Sequence, residues 1–304
     1  MNFYDTVDID LVADKNIMGD DIAVGFDFTP LDEFEKEGVE DNPKVKLPKE
    51  LGKLKDPLDI IPYPTNKKNI PQRPLMEADI IPRHPSAVIF NGKSGSGKSN
   101  LMVNLMSRPE FYGKTNKKDK KSKYFDVVFL FSPTANGGDD LVKFLDIPKK
   151  RIFTDFDQTK LDKILDLQNS IVEDKGLDKS PKMLIIFEDI QSDAKFMANK
   201  SFLRCYIQGR HMNISTFLCG QSWTLTPRKC RLQANNIFFF PSSNSEVDIL
   251  LKEFCPPHTT NDQFLKMIKY ATSEPYHFLH VNMRKPPRER FRHNLKEIVN
   301  PIEN

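Results

Sequence analysis

The chain has 304 residues, 38% hydrophobic and 29% charged, with 22 prolines and a net charge of +3. That length suits one large domain with an extension, and the apolar fraction is enough for a packed core. No run approaches the ~18 apolar residues of a membrane span, and the acidic start MNFYDTVDID does not read as a secretory signal.

The charge is unevenly divided. Residues 1–42 carry 13 acidic and 2 basic side chains, which leaves +14 on the remainder. Such a split fits either an acidic arm on a body suited to a polyanion or a plain solubilising tail. Cys205, Cys219, Cys230 and Cys255 lack paired spacing, and Cys255-Pro-Pro-His258 is only half a metal motif, so free thiols in a reducing compartment are expected.

In chain order, Ile22, Val24, Phe26 and Phe28 alternate with small or acidic residues, a pattern for a strand added to a sheet edge here or on a partner. Residues 43–85 hold nine prolines, which remove donors and block helices. Residues 1–85 are therefore read as an extended N-terminal arm or docking segment without its own core. From residue 86 apolar runs alternate with helical patterns. Strands are expected at 86–91, 125–133, 151–156, 182–189, 213–221, 236–241 and 276–282. Helices are expected at 99–106, 161–174, 194–208, 245–254 and 260–271. Continuous apolar strands between helices imply an α/β domain with a mainly parallel central sheet. The domain is placed at 86–283, and 284–304 is read as a basic tail.

The first strand runs into Gly92-Lys93-Ser94-Gly95-Ser96-Gly97-Lys98-Ser99, which fits G-x-x-x-x-G-K-[ST]. Glycines let the backbone curl until successive N–H groups face phosphate oxygens, and the following helix offers its positive end. Lys98 then reaches the outer phosphates, and the Ser99 hydroxyl suits Mg²⁺. ATP with Mg²⁺ is the expected ligand. The run Met183–Phe187 ends in Glu188-Asp189. A carboxylate pair at a parallel strand's C-terminal end can hold the metal and polarise water. By position Glu188 serves Mg²⁺ and Asp189 the water, although the two roles can be exchanged. The next strand ends in Gln221, an amide placed to sense the terminal phosphate. Asn116-Lys-Lys-Asp119 imitates a guanine-reading motif, but it precedes the acid-bearing strand, so GTP specificity is not expected.

With these residues in order, the chain resembles the genome-packaging ATPases of nucleocytoplasmic large DNA viruses and virophages, in the FtsK–HerA superfamily. The resemblance covers about 86–282. It is carried by the cradle, by IIFED, and by Gly209-Arg210-His211, Gln221 and Arg231 around the following strands. It implies a RecA-like P-loop NTPase core and a homo-oligomeric ring of about five or six subunits that drives double-stranded DNA into a capsid. Glu before Asp departs from the more usual Asp-first pair. Arg210 precedes its strand, so it lies opposite its own nucleotide and would act in trans on a neighbour's. Arg231 is a candidate second finger or DNA contact. Lys117, Lys118, Lys120 and Lys121 in one loop, and Arg288 and Arg290 in the tail, are candidate phosphate contacts. The arm is a candidate dock for a capsid or vertex protein, and the host cytoplasm or viral factory is the expected location, with or without virion association. A cellular or plasmid translocase, a nucleotide-binding assembly protein and a small-molecule kinase remain as alternatives at this point.

Overall fold

A computed structural model describes residues 74–114, 123–135, 140–145, 147–156 and 158–300. The alternating segment at 22–28, most of the proline-rich arm, Asn116–Asp119 and the lysines at 117, 118, 120 and 121 lie outside the described residues.

Among the described residues, nine strands form one sheet. In chain order they are β1 (Ala87–Asn91), β2 (Val127–Phe131), β3 (Ile152–Phe153), β4 (Met183–Glu188), β5 (Ile214–Gly220), β6 (Asn236–Phe239), β7 (Leu279–Asn282), β8 (Phe291–His293) and β9 (Glu297–Ile298). Their order in space is β3-β2-β4-β5-β1-β6-β7-β8-β9. The pairs from β3 to β6 are parallel, and those from β6 to β9 antiparallel. Every residue of β1, β4, β5 and β6 is buried. That is why these strands are mostly apolar: a strand inside a parallel sheet is covered on both faces, and polar residues such as Asn91 and Glu188 fall at strand ends.

The helices are α1 (Pro74–Glu77), α2 (Lys98–Ser107), α3 (Asp140–Leu145), α4 (Gln158–Lys175), α5 (Ala194–Met197), α6 (Lys200–Ile207), α7 (Arg228–Gln233), α8 (Asn244–Phe254) and α9 (Asn261–Ala271). The helix expected over 194–208 is two. Asp193 accepts a bond from Phe196 N to start α5, and Asn199 accepts from Ser201 N and Phe202 N to start α6. A second cap inside the run restarts the helix, because its side chain supplies the acceptor the new first turn needs. Thr260 and Gln263 form a reciprocal capping box at α9.

Aromatic rings fill the space above and below the sheet. On one side Phe90, Phe217, Phe238 and Tyr112 pack with Leu101, Met102 and Leu105 of α2, and Phe90 stacks on Phe238 at 4.8 Å. Successive strand residues face opposite sides. Accordingly Ile186 joins that cluster, and Phe187 turns away to meet Phe202 at 5.1 Å and Phe196 at 5.5 Å.

Both ends of the domain differ from the expectation. Leu75, Met76 and Ile81 are buried in the core cluster, and Tyr112 donates its hydroxyl proton to the Pro82 carbonyl. The packed domain therefore begins by residue 74, before the expected boundary at 86. At the other end the basic segment is part of the sheet: β8 pairs with β7 and β9 with β8, and Phe291 and Leu295 are buried. A few apolar residues spaced among arginines suffice to hold short edge strands, and the charge had masked them.

Two histidines, His84 half-buried and His280 fully buried, have their charged forms disfavoured. His84 contacts Ser215 Oγ at 2.7 Å and Asn213 Oδ1 at 2.8 Å. Burial, with Lys182 and Arg284 nearby, lowers its pKa from 6.5 to about 4. His280 lies against Phe238 at 4.6 Å, and burial, with Arg292 nearby, lowers its pKa to about 3. An unfolded chain takes up both protons below 6.5, whereas the folded chain resists them until about 4 and 3. Stability is therefore complete above pH 6.5 and falls as pH drops toward 4. Thermal melts across that range should show the decline, and His280→Gln should flatten part of it.

Candidate active site

The cradle is the turn between β1 and α2. Gly92 N donates to Gly220 O at 3.1 Å, extending the β1–β5 ladder into the loop. The chain then turns through Gly97, whose φ of 103° is left-handed and closed to most side chains. Gly92 is fixed by contact instead: a Cβ there would lie 2.5 Å from Phe240 Cβ. Lys93, Ser94 and Gly95 are exposed, Ser96 and Gly97 half-buried. The loop is thus open to solvent at the N-terminus of α2, where a phosphate is favoured. Lys98 is buried and donates from Nζ to the carbonyls of Gly92 at 2.6 Å and Lys93 at 2.9 Å. Burial lowers its pKa, and the nearby Asp189 and Glu188 charges oppose that shift.

Sheet order brings the acids alongside. β4 and β1 flank β5, so their C-terminal ends lie about 10 Å apart. Side chains span that gap. Ser99 Oγ donates to Glu188 Oε1 at 2.8 Å, and Glu188 is only 5% exposed. A hydroxyl and a carboxylate in contact are two hard oxygen donors, a set that suits a magnesium ion keeping most of its waters. Asp189 faces differently. Its backbone is left-handed, φ 53°, which turns its carboxylate toward the loop after β5. There Gln221 Nε2 donates to Asp189 Oδ1 at 3.0 Å. Non-glycine residues hold such a backbone mainly where their surroundings impose it, and functional sites are where they cluster. The expected Glu188, Asp189, Gln221, Lys98 and Ser99 are thus brought together.

Residues that sequence reasoning missed hold Gln221 in place. Gln191, 7% exposed, accepts from Gln221 N at 2.6 Å and Ser222 N at 2.9 Å. It also donates to Ser222 O and Thr226 Oγ1. Glu246, near the start of α8, accepts from Ser222 Oγ at 2.8 Å and from Trp223 N. A polar residue within two of an acid pair was the only sequence signal for Gln191. Glu246 had none.

Arg231, expected as a second finger or a DNA contact, is held by its neighbours. Its guanidinium pairs with Glu253 at 2.8 Å and donates to the carbonyls of Trp223 and Thr226. The side chain is 11% exposed and lies 5.7 Å from the Trp223 ring centre. Arg231 thus braces the loop that carries Gln221. Arg210 is exposed in a short 3₁₀ turn, Gly209–Met212, just before β5. Its Nε donates to His211 Nε2 at 3.1 Å. The length of β5, about 20 Å, separates it from its own cradle. It lines a cavity of about 260 Å³ with Tyr206, Asn235 and Arg284 on that opposite edge. Arg288 is exposed and Arg290 half-buried before β8.

A glycine cradle on a parallel strand, a lysine folded into it and an acid pair on the second strand over define this chain as a P-loop ATPase. More particularly, it belongs to the family described as Poxvirus A32 protein, whose profile matches residues 76–281. No curated protein matches the chain. Similar solved structures include the genome packaging NTPase B204 from Sulfolobus turreted icosahedral virus 2 in complex with AMP. It is 16% identical, covers 71% of this chain and 98% of its own, and has a TM-score of 0.47. The same protein with AMPPCP is 16% identical, covers 66% and 93%, and scores 0.46. EssC (ATPases 2 and 3) from Geobacillus thermodenitrificans is 12% identical, covers 65% and 37%, and scores 0.42.

Proposed function

We propose that this chain is the ATP-driven motor that moves double-stranded viral DNA into a capsid. The observation that carries the reading is the bond from Gln221 to Asp189, 3.0 Å long. It ties the acid that faces water to a loop locked onto the rest of the domain, so hydrolysis and movement share one contact. A small-molecule kinase needs no such link.

ATP binds with its phosphates on Gly92–Ser99. Lys98 leaves the loop carbonyls for the outer phosphates, and its charge then opposes theirs. Ser99 and Glu188 hold Mg²⁺, which when bound neutralises charge on the outer phosphates. Asp189 orients the attacking water and draws off its proton. Gln221 leaves Asp189 for the terminal phosphate and returns when that phosphate departs. Gln191 and Glu246 pass the shift to the loop 221–226 and to α8. Arg210 reaches the nucleotide of the next subunit in a ring. Arg288 and Arg290, together with the lysines at 117–121, contact DNA phosphates without reading sequence. The acidic arm docks on a capsid or vertex protein, and the setting is the infected cell's cytoplasm or viral factory. No helix among the described residues is long and apolar enough to cross a membrane.

The test is the ATPase rate with and without double-stranded DNA at rising salt. Stimulation that fades as salt rises is expected, because phosphate contacts release counterions. Indifference to DNA at every ionic strength would contradict the reading.

A further inference from the structure

Tyr276 stands beside the cradle and takes no part in the chemistry above. It is 66% exposed, which is unusual for a large ring held in a fixed place. Its backbone is left-handed, φ 67°, a conformation that persists in a tyrosine only where neighbours impose it. Those neighbours are present. His277 N donates to Glu274 O at 3.2 Å, closing the turn. Phe278 N donates to Asn294 Oδ1 at 3.1 Å, and the buried Phe278 ring packs on Phe240 at 5.1 Å. The loop is thereby fixed against the cradle: a Cβ on Gly97 would lie 3.1 Å from Tyr276 Cδ1 and 3.6 Å from Phe240 Cε1.

The direction of the ligand decides what that ring meets. The terminal phosphate belongs beside Glu188, Asp189 and Gln221, at the ends of β4 and β5. In the order β4-β5-β1-β6-β7 these lie on one side of the cradle, with β6 and β7 on the other. A nucleoside triphosphate laid across the cradle with its terminal phosphate toward β4 must send its base toward β6 and β7. The turn entering β7 carries Tyr276 there.

We propose that Tyr276 is the stacking platform for the nucleotide base, an inference that rests on the cradle's reading as an ATP site. Every base offers a π face, so the contact supplies affinity with little choice between adenine and guanine. The test compares binding of ATP, GTP and inorganic tripolyphosphate, each with magnesium, to the full chain and to Tyr276→Ala and Tyr276→Phe. Tyr276→Ala should weaken ATP and GTP alike by about tenfold and leave tripolyphosphate unchanged. Tyr276→Phe should match the wild type. Unchanged ATP binding in Tyr276→Ala would overturn the proposal. So would an equal loss of tripolyphosphate, which would make the ring a support for the loop. A loss confined to ATP, or an equal loss in Tyr276→Phe, would also overturn it, since edge or hydroxyl contacts would then be at work. If the wild type bound neither ATP nor tripolyphosphate, the cradle reading itself would fail, and this inference with it.

Discussion

Asp189→Asn is expected to bind ATP as the wild type does and to hydrolyse it about 10²–10⁴ times more slowly, the range for loss of a positioned general base. The substitution is clean. Asparagine tolerates the left-handed backbone, φ 53°, that Asp189 adopts, and it keeps an oxygen for the Gln221 amide. Only the capacity to take a proton is lost. The cradle itself, Gly92–Ser99, does not use Asp189, so affinity should persist. Glu188→Gln should behave differently. Glu188 contacts Ser99 Oγ at 2.8 Å, so its loss should weaken magnesium-dependent nucleotide binding as well as turnover. Steady-state hydrolysis and equilibrium binding measured on both variants separate the two roles. If Glu188→Gln kept binding and Asp189→Asn lost it, the assignment of the acids would be reversed.

The second large effect is at Arg210. An arginine supplied to a neighbour's terminal phosphate contributes roughly 10³–10⁵ in rate. Arg210→Ala should lose activity on that scale while its own cradle still binds ATP. The fold places Arg210 before β5 and the cradle after β1, at opposite ends of strands that pair from Ala87–Thr216 to Asn91–Gly220. Intramolecular action is therefore excluded by length. Mixing supplies the decisive arm. Arg210→Ala and Lys98→Ala should each be inactive alone, and together should recover part of the activity, because a mixed assembly contains some sites with an intact cradle and an intact arginine. Recovery fails if Arg210 merely shapes its own turn with His211.

The features legible in the sequence were those set by short covalent spacing. The cradle, the acids and Gln221 each sit at a strand end, and a strand end can be read where an apolar run gives way to polar residues or glycine. The parallel sheet was legible because β1 and β4 are apolar up to their last residue and β5 is mostly so, as burial on both faces favours. The opacity began where long-range placement decided the role. Arg231 follows β5 in sequence, and nothing in its spacing showed that α7 turns it onto Glu253, 22 residues later. Gln191 and Glu246 brace the Gln221 loop from two separate elements, and neither belongs to a recognisable spacing. Tyr276 lies far along the chain from Gly97, and only the sheet order brings them together. At the C-terminus arginines hid two strands, because edge strands need few apolar residues.

Translocation itself is the claim that matters most, and displacement of a third strand from a DNA triplex measures it directly. A labelled oligonucleotide bound in the major groove of a linear duplex lies in the path of any motor that tracks the duplex. With ATP and magnesium, the wild-type chain is expected to release that strand, and Lys98→Ala and Asp189→Asn are not. Release that needs no hydrolysis, or an active ATPase that leaves the triplex intact under all conditions, would contradict the account.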